Sequence, residues 1–301
     1  MRAAGIAEPS GEVRPLDLPR PPAPAHDEVL IDVRAAGVAS WDDIMRVEDW
    51  ASGLELPHAL GVEAAGVVAA TGSDDFMVGD AVMTFVYPLR RGACWAEQVL
   101  APVTAVAIRP EELDEAAAGA FPVPALTAYQ VLHDVLRLDS GERLLVHGAG
   151  GVTGSLIVQL ALLVGAEVVA TAGPRGLERL AGHGKVRLVD RTRDGWQREV
   201  GQGLDAAVNA APDGIDFAMS VVRDGGRLAS ITDSTLPEAR DIETHYHVVR
   251  PDGAQLALLG SMTGDGGVRF PPVRTFPLTE ANAALQLATQ GAGGDAVVLL
   301  P

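Results

Sequence analysis

The chain has 301 residues, enough for about two domains of ordinary size, and its 48% hydrophobic and 21% charged residues suit globular domains with buried cores. A formal net charge of −17 excludes the basic surface that nucleic-acid binding requires. The single cysteine, Cys94, excludes an intramolecular disulfide and a cysteine-rich zinc cluster. Its apolar runs are broken by Gly, Gln or Glu short of a membrane span, and no basic-plus-apolar leader is visible. The expectation is a soluble cytoplasmic protein with no membrane or nucleic-acid partner.

Residues 1–108 read as short strands separated by turns. "EVLIDVRAAGV" sets Val29, Ile31 and Val33 against Asp32 and Arg34, the period of a half-buried strand. "EAAGVVAATG", "DAVMTFVYP" and "WAEQVLAPVTAVAI" continue the pattern between Gly and Pro breaks, which suggests a barrel or folded sheet. "PEELDEAAAGAFPVPALTAYQVLHDVL" then reads as helix, Pro-marked break and helix. Beyond it strands and helices alternate: strand Leu144–His147, a helix from about Gly151 to Val164, strand Glu167–Thr171, helix Gly176–Ala181. Strand "VRLVD", helix "WQREV", strand "DAAVNAA", helix "IDFAMSVV" and strand "GRLASIT" complete the rhythm of a doubly wound parallel sheet. The tail from residue 267 reverts to extended segments around one helix and ends on a strand.

The turn "HGAGGVTG" carries the chemistry. A turn that receives a pyrophosphate needs residues without a Cβ, so that backbone N–H groups reach the oxygens at a helix N-terminus. Gly148, Gly151 and Gly154, with Gly150 adjoining, meet that need in a strand–turn–helix context. The end of the second strand selects the cofactor. An acid there would hold the adenine-ribose hydroxyls of NAD, whereas a 2′-phosphate requires its absence and an arginine. Here Thr171, Ala172 and Gly173 stand in place of an acid, followed by Arg175, Arg179 and, past the next strand, Arg191. The residues favour NADP(H).

With these motifs in order, the sequence resembles the zinc-independent quinone oxidoreductase branch of the medium-chain dehydrogenase/reductase superfamily. The resemblance is carried by "AAGVASWDDIMR", "LGVEAAGVVAATG" followed by "VGDAVMTFV", "GACWAEQVLAP", "FPVPALTAYQVL", the glycine turn, "VNAAPDG", "VVRPDGAQL" and "RTFPLTEANAAL". It implies an α/β fold, with a GroES-like β-barrel catalytic domain from residues 1–110 and 248–301 and a Rossmann NADP(H)-binding domain inserted at 111–247. Zinc alcohol dehydrogenases of the superfamily carry ligands where this chain has Ala39 and Val62, and "FPVPAL" offers no thiol. His245 and His247 share a face if "THYHVV" is extended, but no third ligand is readable beside them, so no metal is expected.

The resemblance further implies that Thr127 contacts the nicotinamide-ribose region and that Asn209, Ala210 and Ile231 line the same side, with Tyr246 close to the nicotinamide. Val152 and Thr153 depart from the glycine and valine usual in the phosphate turn, but the spacing is kept and both remain expected cofactor contacts. A substrate pocket is implied among Ala39, Trp41, Asp42, Trp50 and Phe85. Asp42 is the nearest candidate for a catalytic proton donor, with helix capping as its other reading and solvent as the alternative source. Glu63 is expected to hold the barrel, and Cys94 to be a thiol without function. The expected activity is NADPH-dependent reduction of a quinone or an α,β-unsaturated carbonyl in a homodimer joined through "ARDIETHYHVV". The alternatives are a biosynthetic enoyl reductase acting on a CoA- or carrier-bound substrate, docked through a basic patch such as Arg90-Arg91, and an NADPH-binding protein with little turnover.

Overall fold

The computed structural model describes residues 1–47, 55–89, 93–264 and 267–301. In chain order the first elements are β1 (Arg2–Ile6), β2 (Arg14–Asp17), β3 (Glu28–Val38), α1 (Ser40–Val47), β4 (His58–Ala59), β5 (Glu63–Thr71), β6 (Ala81–Phe85), β7 (Gln98–Pro102) and β8 (Val106–Ile108). Helices α2 (Glu115–Gly119) and α3 (Pro122–Gln130) follow. Next come β9 (Arg143–His147), α4 (Val152–Val164), β10 (Glu167–Ala172), α5 (Pro174–Leu180), β11 (Val186–Asp190), α6 (Gln197–Val200), β12 (Leu204–Asn209), α7 (Ile215–Val221), β13 (Val222–Ser230) and β14 (Glu243–Tyr246). The chain closes with α8 (Gly253–Ser261), β15 (Val273–Pro277), α9 (Ala281–Thr289) and β16 (Ala296–Leu300). No helix among the described residues is long and apolar enough to cross a membrane.

Two compact units result. One comprises Met1–Leu126, Arg250–Gly266 and Phe270–Pro301; the other comprises Thr127–Val249 and Gly267–Arg269. The changeover at 126/127 lies beyond the expected 110/111 because α2 packs on the first unit's strands β3 and β5. A Cβ on Gly119 of α2 would stand 2.7 Å from the Cβ of Ala35 in β3, so the helix lies flush on the strand. The return falls at 249/250 rather than 247/248. Helix α8 was not anticipated; its start is fixed by Asp252, whose carboxylate accepts the Gln255 N–H.

In the first unit, β15, β16, β3, β5, β6 and β8 follow one another across a sheet, with β7 also paired to β3. A three-stranded sheet β2-β1-β4 stands beside it. Their inward residues, among them Ile6, Val29, Ile31, Leu60, Val82 and Val99, form one apolar core. Trp95 sits fully buried within it and donates from Nε1 to the Gly37 carbonyl at 2.8 Å. Gly61 lets the indole approach: its φ is +83°, and a Cβ there would lie 2.1 Å from the ring.

The second unit is a six-stranded sheet in the order β11-β10-β9-β12-β13-β14, parallel throughout. The order reverses between β9 and β12, so a crevice opens at the carboxyl ends of those two strands. The inner strands are apolar on both faces, as helix-covered parallel strands must be: Leu144, Leu145 and Val146 of β9 and Ala206, Ala207 and Val208 of β12 are all buried. β14 forms one edge, with Glu243, His245 and Tyr246 exposed.

Replacing Trp95 by Phe removes the Nε1–H donor from the Gly37 carbonyl and opens space around it. We expect a loss of about 2 kcal/mol, read as a lower urea midpoint of the first unit's transition.

Candidate functional site

At the reversal point β9 ends on His147 and the chain turns through Gly148, whose φ of +87° only glycine adopts cheaply. A Cβ on Gly148 would stand 2.6 Å from the carbonyl oxygen of Ala210, at the end of β12. One on Gly154, inside the first turn of α4, would stand 2.3 Å from the Gly148 carbonyl oxygen. These two glycines bring strand, turn and helix into backbone contact. Gly151 differs: it is exposed, and a Cβ there would meet only the Gly148 oxygen, at 3.6 Å. Gly151 also caps α4 without a side-chain hydrogen bond, so the leading N–H groups, those of Val152, Thr153 and Gly154, have no side-chain cap. Gly150 approaches the next helix instead, for a Cβ on Gly176 in α5 would lie 2.7 Å from its Cα.

The end of β10 differs in part from expectation. Thr171 is fully buried, and its hydroxyl lies 2.8 Å from Nδ1 of His147, so that oxygen is spent inside the unit rather than offered to a ligand. Ala172 is buried as well, its Cβ packed against Gly150 and Gly176. Arg179 is committed to the turn, donating to the Gly150 carbonyl at 2.7 Å. Arg175, on the first turn of α5, and Arg191, one residue past β11, are exposed. The Arg191 N–H bonds the Ala172 carbonyl at 3.0 Å, which seats its residue beside the end of β10.

His147 was not singled out in the sequence. Its Nε2 lies 3.1 Å from the Asp213 carbonyl, an acceptor only, so Nε2 carries the proton and Nδ1 accepts from the Thr171 hydroxyl. The ring stacks on Trp196 and meets Phe217 edge-on. Burial lowers its pKa and keeps it neutral, with the Asp213 carbonyl opposing and Arg191 assisting.

On the β12–β13 side, Asn209 is fully buried and its Nδ2 reaches Ala211 O at 3.0 Å, Thr232 Oγ1 at 3.1 Å and Asp233 Oδ2 at 2.7 Å. Its Oδ1 is buried and has no partner among the described residues. Ala210 and Ile231 extend the sheet by one bond each, Ala210 N–H to His147 O and Ile231 N–H to Asn209 O. Thr127, at the start of the second unit's share of α3, is buried, and Tyr246 on the edge strand is exposed. Asp213 and Asp233 escaped the sequence reading because both stand in loops with no periodicity to mark them.

The first unit holds a buried acid pair. Asp42, third residue of α1, accepts the Ala39 N–H at 2.8 Å, half of a capping box. Its other oxygen has no partner among the described residues. Glu63, which opens β5, accepts the Val123 N–H at 2.8 Å and so ties the start of α3 to the barrel. Gly37 lies beneath it, where a Cβ would stand 2.5 Å from Oε1. Burial pushes the Asp42 carboxyl up to about 7 and raises Glu63 well above the carboxylate range, the Asp42 charge adding to the latter. Cys94, fully buried, is raised by burial and by the nearby acids. Ala39 and Trp41 are half-buried, Phe85 is buried and stacked with Tyr87, and Trp50 lies outside the described residues, as do Arg90 and Arg91.

The ring centroids of His245 and His247 are 6.3 Å apart, and no group of three or more His, Cys, Asp or Glu among the described residues is placed to hold a metal ion. Ala39 and Val62 offer no ligand atom in their side chains. These residues do not fit a zinc ion.

Comparison with known proteins agrees with this architecture. Residues 25–107 match the alcohol dehydrogenase GroES-like domain, and residues 183–294 match the zinc-binding dehydrogenase family. The chain is 32% identical over 282 residues to erythronolide synthase EryA2 of Saccharopolyspora erythraea, covering 88% of this chain but only 8% of the synthase. It is 31% identical over 217 residues to the probable quinone oxidoreductase of Schizosaccharomyces pombe, covering 69% of this chain and 64% of that protein. The crystal structure of an NAD-dependent alcohol dehydrogenase superposes with a TM-score of 0.87 at 28% identity, over 100% of both chains. The chain belongs to the medium-chain dehydrogenase/reductase superfamily.

The acid pair makes stability depend on pH. A carboxyl whose folded pKa lies above its unfolded value stabilises the fold below the unfolded pKa, and that contribution is lost as pH rises through the folded one. For Asp42 the window runs from about 4 to about 7 and is worth on the order of 4 kcal/mol. Asp42→Asn keeps the acceptor for Ala39 and removes the titration. Between pH 4 and pH 8 we expect the melting temperature of the wild type to fall several degrees further than that of the variant.

Proposed function

We propose that the protein is an NADP(H)-dependent oxidoreductase that reduces a quinone or the C=C bond of an α,β-unsaturated carbonyl without a metal ion. The observation that carries the reading is the crevice at the β9/β12 reversal: a helix N-terminus without a side-chain cap, reached through an exposed glycine, beside the end of β10, which carries no acid of its own and is followed by Arg175, with Arg191 next after Asp190 at the end of β11. A dinucleotide fits this chain. The open space at Gly151 suits a pyrophosphate, and the buried orphan Oδ1 of Asn209 suits a crevice in which a hydrogen-bond donor is still to be supplied.

In this reading Gly151, Val152, Thr153 and Gly154 hold the pyrophosphate through their N–H groups. Arg175 and Arg191 hold the 2′-phosphate, flanking Gly173. Thr127, Asn209, Ala210, Ile231 and Tyr246 serve the nicotinamide half. When bound, the reduced nicotinamide supplies a hydride. With alanine at 39 and valine at 62, no Lewis acid polarises an isolated carbonyl, which favours acceptors whose negative charge spreads onto a conjugated oxygen. Ala39, Trp41 and Phe85 supply an apolar surface for such an acceptor. Asp42 is only 2% exposed and holds the Ala39 N–H, so it positions that residue, and the proton comes from solvent.

A second reading is suggested by the likeness in fold to the CurK enoyl reductase, which superposes with a TM-score of 0.86: an enoyl reductase acting on a thioester carried by CoA or a carrier protein. NADPH oxidation with naphthoquinone and methyl vinyl ketone, set against crotonyl-CoA, separates the two.

The cofactor reading is tested by fluorescence titration of NADPH and NADH. We expect NADPH to bind at least tenfold tighter than NADH, and Arg175→Ala or Arg191→Ala each to weaken NADPH about tenfold or more while leaving NADH unchanged. Equal binding of the two would sink the preference for NADP(H), and no binding of either would sink the oxidoreductase reading.

A further inference from the structure

We propose that Asp233 biases this crevice toward the oxidised, positively charged form of the nicotinamide cofactor, with Asn209 as the positioning residue that holds its carboxylate. The inference rests on the dinucleotide reading above and deepens it.

Asp233 lies three residues past the end of β13, in the second mononucleotide half of the sheet; in a doubly wound fold that half takes the nicotinamide nucleoside when the glycine turn of the first half takes the pyrophosphate. Its position is built rather than incidental. The Asn209 amide donates to Oδ2 at 2.7 Å, the Thr232 hydroxyl lies 3.3 Å from the same oxygen, and the Asp233 N–H donates to Ser230 Oγ at 2.9 Å. The orientation of Asn209 is fixed by its partners, because Ala211 O and Asp233 Oδ2 both only accept. A fully buried amide is thus spent on a carboxylate that remains partly open to solvent.

No cation pairs with Asp233 among the described residues, although arginines elsewhere in the same unit are paired, Arg223 with Asp205 and Arg227 with Glu142. The nicotinamide ring is cationic when oxidised and neutral when reduced. A fixed, uncompensated carboxylate in its half of the crevice therefore stabilises the oxidised form more. By linkage, any such bias makes the bound reduced form a stronger hydride donor by the same factor.

The test is calorimetric titration of wild type, Asp233→Asn and Asp233→Glu with NADP+ and NADPH, at low and high salt. Asparagine keeps an acceptor for Asn209 and removes the charge. We expect Asp233→Asn to weaken NADP+ about tenfold and NADPH less than twofold, Asp233→Glu to retain most of the bias, and the wild-type bias to shrink at high salt. A parallel loss for both forms in Asp233→Asn would make Asp233 merely structural, and unchanged ratios would remove the bias; either result overturns the inference. Should Asp233→Asn fail to fold, Asp233→Ser, which also removes the charge, reads the same ratio. Failure of wild type to bind either form would instead overturn the dinucleotide reading itself.

Discussion

The second unit is organised by one steric constraint, the contact of backbone with backbone where β9, its turn, α4 and the end of β12 meet. Gly148 and Gly154 leave room for no side-chain carbon, and the separations at stake, 2.6 and 2.3 Å, lie far inside van der Waals contact. Because strand and helix touch there, the first turn of α4 stands directly over the reversal point of the sheet. Arg179 closes the arrangement from α5 by holding the Gly150 carbonyl. The neutral His147 ring does the same from below, joining β10 to the loop after β12 through one hydrogen bond on each nitrogen. Phosphate affinity at such a turn comes from backbone geometry fixed in advance by packing, not from a charged side chain.

The first unit solves a different problem. Two carboxyl groups are buried near one another with one backbone N–H each and without metal ligands at 39 or 62. Burying both as anions would cost several kcal/mol per charge, so the pair does not carry two charges at once and one carboxyl stays protonated. In that form it fixes the entries to α1 and α3.

Much of this was legible in the sequence because it follows from periodicity and from glycine. The alternation from β9 to β13 and the glycine turn could be read directly, and "VRLVD" is β11 residue for residue. What could not be read depends on partners distant in the chain. Thr171 looked like a ligand contact because it ends the second strand, but the histidine that consumes its hydroxyl lies 24 residues away. Helix α8 was hidden behind a proline and a glycine, although Asp252 followed by Gln255 is a start signal in plain view. Asp233 was invisible, since only the fold brings it to Asn209, 24 residues away.

The buried thiol carries one further consequence. Quinones and enones are Michael acceptors, and they alkylate cysteine through its thiolate. The chain has a single cysteine, fully enclosed in the first unit, and burial together with Glu63 and Asp42 keeps it protonated. A protein built this way offers electrophiles of that kind no thiolate to modify.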